Sequence, residues 1–442
     1  MIGTASFLVS KPVVFRERAF QAKKGFLKGT HRICTPEETW DSICMRPFEF
    51  GLTRNATITG LDRIGMPVTI AIRPNGLTLT VSSGKGLTHT AALVSGYMEA
   101  YELHHCETYP FPSIAASFEE MSQMYKTPPF SETPMKKQAV IHEKWPLRWV
   151  LGWDLITQQE IALPLLAISL DYRLAKSGSF FELNNFERTS NGLASGNHFL
   201  EAICAGLYEV IERDAIACHA YTATHYHAPK VILETIPYAA IKKLFEQLQH
   251  AQIALELFDC TVDTNVYVFE ALVYDNLQRN QGVAKGYGAH LDPEIAILRA
   301  ITEAVQGRTV YISGARDDIF LSHFQLFRKF DAQRCIERMQ AIPSVIDARH
   351  YRSEASLTFE EDLQLLIKKI MQAGLEHVVV FDLSFENSPF PVVKVAVPGM
   401  EGYSTATSAM GKRARVFAAS KKGQSEEDAP LSMWHRPAGE VT

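Results

Sequence analysis

The chain has 442 residues, with 44 Lys and Arg against 49 Asp and Glu and a formal net charge of −5, a balance that offers no general attraction to a nucleic-acid backbone or an anionic membrane. Hydrophobic residues at 46% and charged residues at 21% exclude a disordered or fibrous chain and allow a large buried core. Seven scattered cysteines (Cys34, Cys44, Cys106, Cys204, Cys218, Cys260, Cys335) form no CxxC pair, which excludes a disulfide framework or zinc knuckle and fits reduced thiols.

The N-terminus, MIGTASFLVSKPVVFRER, lacks a basic region before its apolar stretch and a small-residue cleavage site after it, so no secretory signal is expected. The longest apolar run, Ile161 to Leu170, is far short of the ~18 residues of a membrane span. The expectation is a soluble cytoplasmic protein with neither membrane nor nucleic-acid partners. From Pro67, PVTIAIRP and LTLTVSS predict a hairpin turning tightly at Asn75-Gly76, and a long helix follows from Thr88. Residues 125 to 145, YKTPPFSETPMKKQAVIHEKW, read as a surface excursion unsuited to chemistry.

Two later stretches resemble each other. IKKLFEQLQHAQIALELFD runs to Asp259 and into VYVFEALVY; LLIKKIMQAGLEHVVVFD runs to Asp382 and into PVVKVAVPG. Each predicts a helix and two strands, so the expected fold class is α+β with internally duplicated αββ units. Beyond Gly402 periodicity is lost and a partly mobile tail is expected.

Three Gly-rich loops each open a helix: SGKGLT (Ser83 to Thr88), NGLASGN (Asn191 to Asn197) and GYGAHLDP (Gly286 to Pro293). Such a loop lets backbone N–H groups approach an anion at a helix N-terminus. About three turns into each helix lie acidic residues: Glu99 and Glu102, then Glu209 and Glu212 with Arg213, then Arg299, Glu303 and Gln306. The i,i+3 and i,i+4 spacings put each set on one face, among apolar neighbours that indicate burial. Two carboxylates ~4 Å apart would repel by ~4 kcal/mol at an effective dielectric of about 20, so converging faces would need cations. Oxygen-only ligands suit Mg²⁺ with phosphates rather than zinc; the alternative is three ordinary solvated helix faces.

On these motifs the chain resembles the YcaO family from about Lys28 to Arg415: SGYMEAYE (Ser95 to Glu102), SNGLASGN with EAICAGLYEVIERDA, RAITEAVQGR with GARDD (Gly314 to Asp318), and VPGMEGY (Val397 to Tyr403). The resemblance implies a YcaO-like fold with a nucleotide site formed by several helices, using ATP and Mg²⁺ to phosphorylate a peptide-bond oxygen. It implies that Glu99, Glu102, Glu209, Glu212 and Glu303 hold the metal. Lys28 and Thr35 in KGTHRICT, with Arg213 and Arg299, match nucleotide contacts, and Lys85, Ser95, Asn191, Asn197 and Gln306 match further motif positions. The first motif commonly ends Glu-Arg, whereas Leu103 follows Glu102 here. The implied division is an N-terminal segment 1–50 contributing to the nucleotide site, a catalytic domain 51–403 and a tail 404–442.

The attacking nucleophile decides the product: sulfide gives a thioamide, a side-chain Cys, Ser or Thr an azoline, and an amine an amidine. Azoline-forming members often end in a Pro-rich tail such as PxPxP, and HRPAGEVT differs, so thioamidation is placed slightly ahead of azoline formation. No N-terminal module for gripping a leader peptide is evident. A separate peptide-recognition or sulfur-delivery protein is therefore expected beside the substrate peptide or protein, and a homodimer by family habit. The alternatives are a non-enzymatic ATP-binding accessory and an ATP-dependent ligase. Three further groupings carry no chemistry in this reading. His104, His105 and Cys106 are adjacent and cannot face one ion; His219, His225 and His227 belong to a polar loop expected to line the cleft; Asp317 and Asp318 fix a loop beside Arg316.

Overall fold

The computed structural model describes residues 11–174, 185–221, 228–279, 282–318, 332–402 and 407–421. An N-terminal ribbon pairs β1 (Val13–Phe15) with β2 (Arg18–Phe20). The first sheet has the order β3 (Arg54–Thr57), β4 (Val68–Ile72), β5 (Val81–Lys85). The second runs β6 (Ile114–Ala116), β7 (Leu147–Asp154), β15 (Val379–Asp382), β16 (Val392–Ala396), β9 (Leu193–Ser195), with β8 (Gln159–Pro164) also on β7. The third runs β13 (Val283–His290), β12 (Tyr267–Asp275), β11 (Ile253–Asp259), β10 (Lys230–Ile232), β14 (Ser344–Asp347), and only its β10–β14 pair is parallel among the described pairs. The helices are α1 (Pro36–Ile43), α2 (His89–Thr108), α3 (Phe118–Met124), α4 (Leu165–Ile168), α5 (Phe199–Ala220), α6 (Ala239–His250), α7 (Pro293–Ser313), α8 (Ala332–Ala341), α9 (Phe359–Gln372) and α10 (Lys412–Lys421).

A pattern organises these pieces. Each sheet ends in one edge strand that turns directly into a long helix: β5 into α2, β9 into α5, β13 into α7. Each turn is closed by a side-chain cap, from Thr88, His198 and Asp292 respectively, which satisfies N–H groups a helix start leaves open. Each helix then packs between two sheets. Tyr97 and Ala100 of α2 meet Ala71 of the first sheet and Val150, Val379 and Val392 of the second. Residues Ile203, Leu207 and Ile211 of α5 share a core with Val393 and Val395 of the second sheet and Leu272 and Ala289 of the third. Residues Ile297, Ile301 and Val305 of α7 share one with Phe269 and Val273 of the third and Val68 and Val81 of the first. Three sheets and three helices thus alternate in a closed ring, and helices apolar on most sides are what such a position demands.

The Gly-rich segments serve this packing. A Cβ on Gly84 would lie 2.1 Å from the Ala92 carbonyl and 2.3 Å from the Gly96 nitrogen; one on Gly286 would lie 2.1 Å from the Ala304 nitrogen, and one on Gly288 2.1 Å from the Ala296 carbonyl. The edge strand is pressed onto its own helix more closely than any side chain permits. Burial of strand against helix, rather than an anion, accounts for these glycines.

Several expectations change. The hairpin forms, with Val68 paired to Lys85 and Ile72 to Val81, but residues 73 to 80 intervene and Gly76 keeps a negative φ, so the Asn-Gly pair does not make the tight turn. Residues 125–145 run along the surface, with Lys137, Gln138, Val140 and residues 142–144 exposed, but the segment is pinned to the fold where Lys126 bridges to Ile161, Met135 to Phe186, and Phe130 stacks on Trp149. Both αββ stretches fold as helix, strand and antiparallel strand (α6–β11–β12 and α9–β15–β16), in different sheets, where β12 goes on to pair with β13 and β16 with β9. Part of the tail is ordered, since α10 docks on α5 through Arg413, which donates to Asp214 at 2.8 Å, while Glu401 accepts the N–H groups of Gly411 and Ala414. Among the described residues no helix is long and apolar enough to cross a membrane. Replacing Gly84 by Ala should destabilise the chain by ~1–3 kcal/mol through overpacking, read as a lower denaturant midpoint; an unchanged midpoint would show that β5 can move off α2.

Candidate active site

The inner faces of the three helices bring five carboxylates together, and strand N–H groups bind four of them. The N–H of Ser83 donates to Glu99 at 3.2 Å, that of Ala289 to Glu212 at 3.1 Å and that of Tyr287 to Glu303 at 3.4 Å. Ser195 donates to Glu102 from its N–H at 2.8 Å and its hydroxyl at 2.6 Å. Two of these bonds cross from one unit to the next, α2 to β9 and α5 to β13; Lys85 makes the third crossing, its Nζ 3.0 Å from Glu303 between β5 and α7. Glu209 faces Arg213 at 3.6 Å.

The carboxylates act on one another. Burial, with the charges of Glu99 and Glu209, pushes Glu102 up to about 8, and burial with Glu303 pushes Glu212 up to about 7. Glu99 and Glu209 are also raised by burial, against Arg316 and Lys85 in the first case and Arg213 and Arg299 in the second. For Glu303 burial acts upward too, yet Lys85 and Arg213 win and hold it below the usual carboxylate range. Crowding does not mean sealing, since the side chains of Glu209 and Glu303 keep 21% and 26% exposure. The seam is a cleft.

Around it, Gln306 donates to the Ser83 hydroxyl at 2.8 Å, and Arg299 reaches Glu212 at 3.9 Å while its Nε is buried without an acceptor. Ser95 lies one turn before Glu99 on α2. The remaining predicted residues are not gathered at the carboxylates. Lys28 is exposed, and the Thr35 hydroxyl belongs to a capping box with Glu38 at the start of α1. Their loop lies over the first turn of α5, where Ile33 N–H donates to Glu201 at 2.8 Å, about 12 Å along the helix from Glu209. Asn197 accepts from Thr39 at 3.2 Å beside the same turn. Asn191 precedes β9 with its Oδ1 buried and unbonded.

Sequence reasoning missed Ser83, Ser195 and Arg316. Two are strand residues whose backbone N–H groups and hydroxyls meet Glu99, Glu102 and Gln306 across the fold, a tertiary match that local spacing does not reveal. Arg316 lies in the quoted GARDD motif: its Nε donates to Asp318 at 2.8 Å and its charge reaches Glu99, while Asp317 accepts the Thr80 N–H. Elsewhere, His105 bonds Tyr101 and Ser388, Cys106 bonds the Ile168 carbonyl, and Leu103 is core. His219 packs against Phe417; His225, His227 and Tyr403 lie outside the described residues.

No three His, Cys, Asp or Glu side chains among the described residues surround one point, so the carboxylates are not an all-protein cage. Oxygen donors spread along a cleft suit Mg²⁺, which is usually held by one or two carboxylates together with phosphate oxygens.

Comparison with known proteins agrees. The model of the family "YcaO cyclodehydratase, ATP- and Mg²⁺-binding" matches residues 83–401, and the chain belongs to the YcaO family. ATP and Mg²⁺ are the cofactors of that family. An uncharacterised protein of Methanothermobacter thermautotrophicus is 32% identical over 86% of this chain and 97% of its own length. An uncharacterised protein in the tfuA 3′ region of Rhizobium leguminosarum bv. trifolii is 31% identical over 84% of this chain and 88% of its own. Among solved structures, YcaO from Methanopyrus kandleri bound with AMPPCP and Mg²⁺ superposes with a TM-score of 0.70 at 23% identity, covering 88% of this chain and 99% of that one. A heterocyclase in complex with substrate and cofactor gives 0.69 at 23%, covering 89% of this chain, which spans 55% of the heterocyclase's length.

In the metal-free folded chain Glu102 and Glu212 keep protons up to about pH 8 and 7, whereas unfolded they release them near 4.5. The folded state therefore binds more protons through that window, and stability falls as pH rises from about 5 to 8. Denaturation of metal-free protein at pH 5.5, 7 and 8.5 should show this decline, and Glu102→Gln should flatten it. A slope unaltered in the variant would assign the titration elsewhere.

Proposed function

We propose that the chain is an ATP- and Mg²⁺-dependent enzyme that activates a backbone amide of a ribosomally made peptide or protein, with thioamidation ahead of azoline formation. The carrying observation is the set of five crowded carboxylates converging from three helices with Lys85, Arg213 and Arg299 at their edge. Bound Mg²⁺ and ATP would supply an electrophilic γ-phosphoryl group: the amide oxygen takes it, ADP departs, the nucleophile adds at the amide carbon and phosphate leaves. Glu99, Glu102, Glu209, Glu212 and Glu303 are assigned to hold the metal. Lys85, Arg213 and Arg299 are assigned to the phosphates, a charge arrangement fixed in advance by buried helices. Lys28, Thr35 and Asn197 fit the outer end of the nucleotide, at the start of α5; Ser95 and Gln306 brace the cleft.

The name of the Rhizobium relative, in the tfuA 3′ region, makes the product of a neighbouring gene the first partner to test, alongside the substrate. We assign the chain to the cytoplasm and to a homodimer, with domain limits of 51–403 between an N-terminal segment and a tail. The decisive assay incubates the chain with peptides tiling the proteins encoded beside its gene, ATP, Mg²⁺ and those neighbouring proteins, with and without sulfide. Expected are peptide-dependent ADP release and sulfide-dependent exchange of oxygen for sulfur in the peptide mass; loss of water without sulfide would assign azoline formation. Glu209→Ala should lower ADP release about a hundredfold or more. Nucleotide binding without ADP release or a mass change would instead assign an accessory role.

A further inference from the structure

The loop that carries Lys28 and Thr35 also carries His31, which no step of the proposed reaction uses. The His31 ring meets His290, at the end of β13, edge to face with centroids 5.0 Å apart, and His290 stacks on Tyr208 of α5 at 4.4 Å. Hydrogen bonds fix where this pair sits along α5. Ala289, the residue before His290, donates its N–H to Glu212 at 3.1 Å; Ile33, two residues after His31, donates its N–H to Glu201 at 2.8 Å. Glu201, Tyr208 and Glu212 share one face of the helix. The pair therefore lies between the carboxylates and the anchor of the loop, ~6 Å from Glu212 and ~10 Å from Glu201 along the axis. A nucleotide with its phosphates at the carboxylates and its outer end at Lys28 and Thr35 passes this point with its sugar.

The tautomer of each ring is set by its neighbours. The buried Lys24 Nζ donates to Asp362, to the Ser356 carbonyl at 2.9 Å and to His31 Nδ1 at 3.0 Å. A lysine ammonium only donates, so His31 Nδ1 accepts and the ring proton sits on Nε2. The Asp292 N–H donates to His290 Nδ1 at 2.9 Å and imposes the same tautomer there. Burial, with the Lys24 charge, pushes His31 down to about 4, and burial, with His31 and Lys24 beside it, holds His290 well below the usual imidazole range. Both rings are neutral. Among the described residues neither Nε2–H has a hydrogen-bond partner and neither is closed to solvent, although His290 is only 6% exposed. Two neutral N–H donors thus lie close together, and the Asp292 carboxylate, near enough to act on His31, disfavours an anion there. Neutral oxygens with free lone pairs, such as hydroxyls, match them.

We propose that His31 and His290 read the sugar of the bound nucleotide, donating Nε2–H to its hydroxyl oxygens, and so make the chain selective for ribonucleotides over deoxyribonucleotides. This rests on the function proposed above. The two histidines are specificity-determining residues that meet the nucleotide away from the reacting phosphate. Lys24 is a positioning residue: it acts through His31 by fixing the tautomer.

The test is equilibrium binding of ATP, 2′-deoxy-ATP and 3′-deoxy-ATP, each with Mg²⁺, to the full chain without peptide. The wild-type chain should bind at least one deoxynucleotide about tenfold more weakly than ATP; affinities within twofold for all three overturn the proposal. His31→Phe and His290→Phe keep the ring contacts and remove the donors. In at least one of them, ATP should fall to the level of the deoxynucleotide and the gap should close to within twofold. A merely structural loss would weaken all three nucleotides alike and leave the gap in both variants, which overturns the assignment. Loss of discrimination between ATP and GTP in its place would assign the pair to the base and overturn the sugar contact. ATP binding without sugar selectivity retires this reading alone, whereas a folded wild-type chain that binds no ATP retires the proposed function with it.

Discussion

Everything at the cleft depends on one constraint: each of the three long helices is packed between two sheets, so its carboxylates can face only the central seam. The partner groups available there are the N–H groups of strand edges. An open sheet edge invites pairing with other chains, and here the edges at β5, β9 and β13 are covered by their own helices. The edge N–H groups of Ser83, Ser195, Tyr287 and Ala289 end on Glu99, Glu102, Glu303 and Glu212. The same carboxylates close the sheets and line the seam to which the metal is assigned. Fold and chemistry share atoms.

The sharing is possible because the strands approach their helices at backbone distance. With any side chain at Gly84, Gly286 or Gly288 the strand would stand off, and its N–H groups would no longer reach carboxylates projecting from the helix. The second unit achieves the same approach differently: Gly192, at φ +78°, and Gly206 bring the β9 turn against α5. A left-handed φ and the lack of room both call for glycine there.

How much of this the sequence discloses follows from where the information lies. The carboxylates were legible because i,i+3 spacing on a helix is local and repeats three times. The loop glycines were legible as important, but their role was not, since closeness between a strand and the helix after it is a tertiary fact. The cross-unit bonds from Ser195 and Ala289, and the charge of Arg316 at Glu99, depend on sheet order and could not be read from spacing. Residues 125–145 read correctly as surface, but their Pro and Lys content masks the anchoring of Phe130, Thr133 and Met135. The helix α10 went unnoticed for the opposite reason: its hold on the fold comes from Arg413 and Asp214, remote in the chain.

A chain selected for stability alone would not crowd five carboxylates at the centre of its fold. Replacing a buried charge cluster with apolar residues of similar size is often neutral or favourable, and the ring of sheets offers apolar neighbours on every side. Lys85, Arg213 and Arg299 offset part of the repulsion, yet Glu102 and Glu212 stay protonated well above the usual carboxylate range. Local rules broken at one place in an otherwise consistent structure mark function. Burial favours the protonated forms of Glu102 and Glu212 in the metal-free chain, and a divalent cation that displaces those protons would complete the charge balance the fold leaves open.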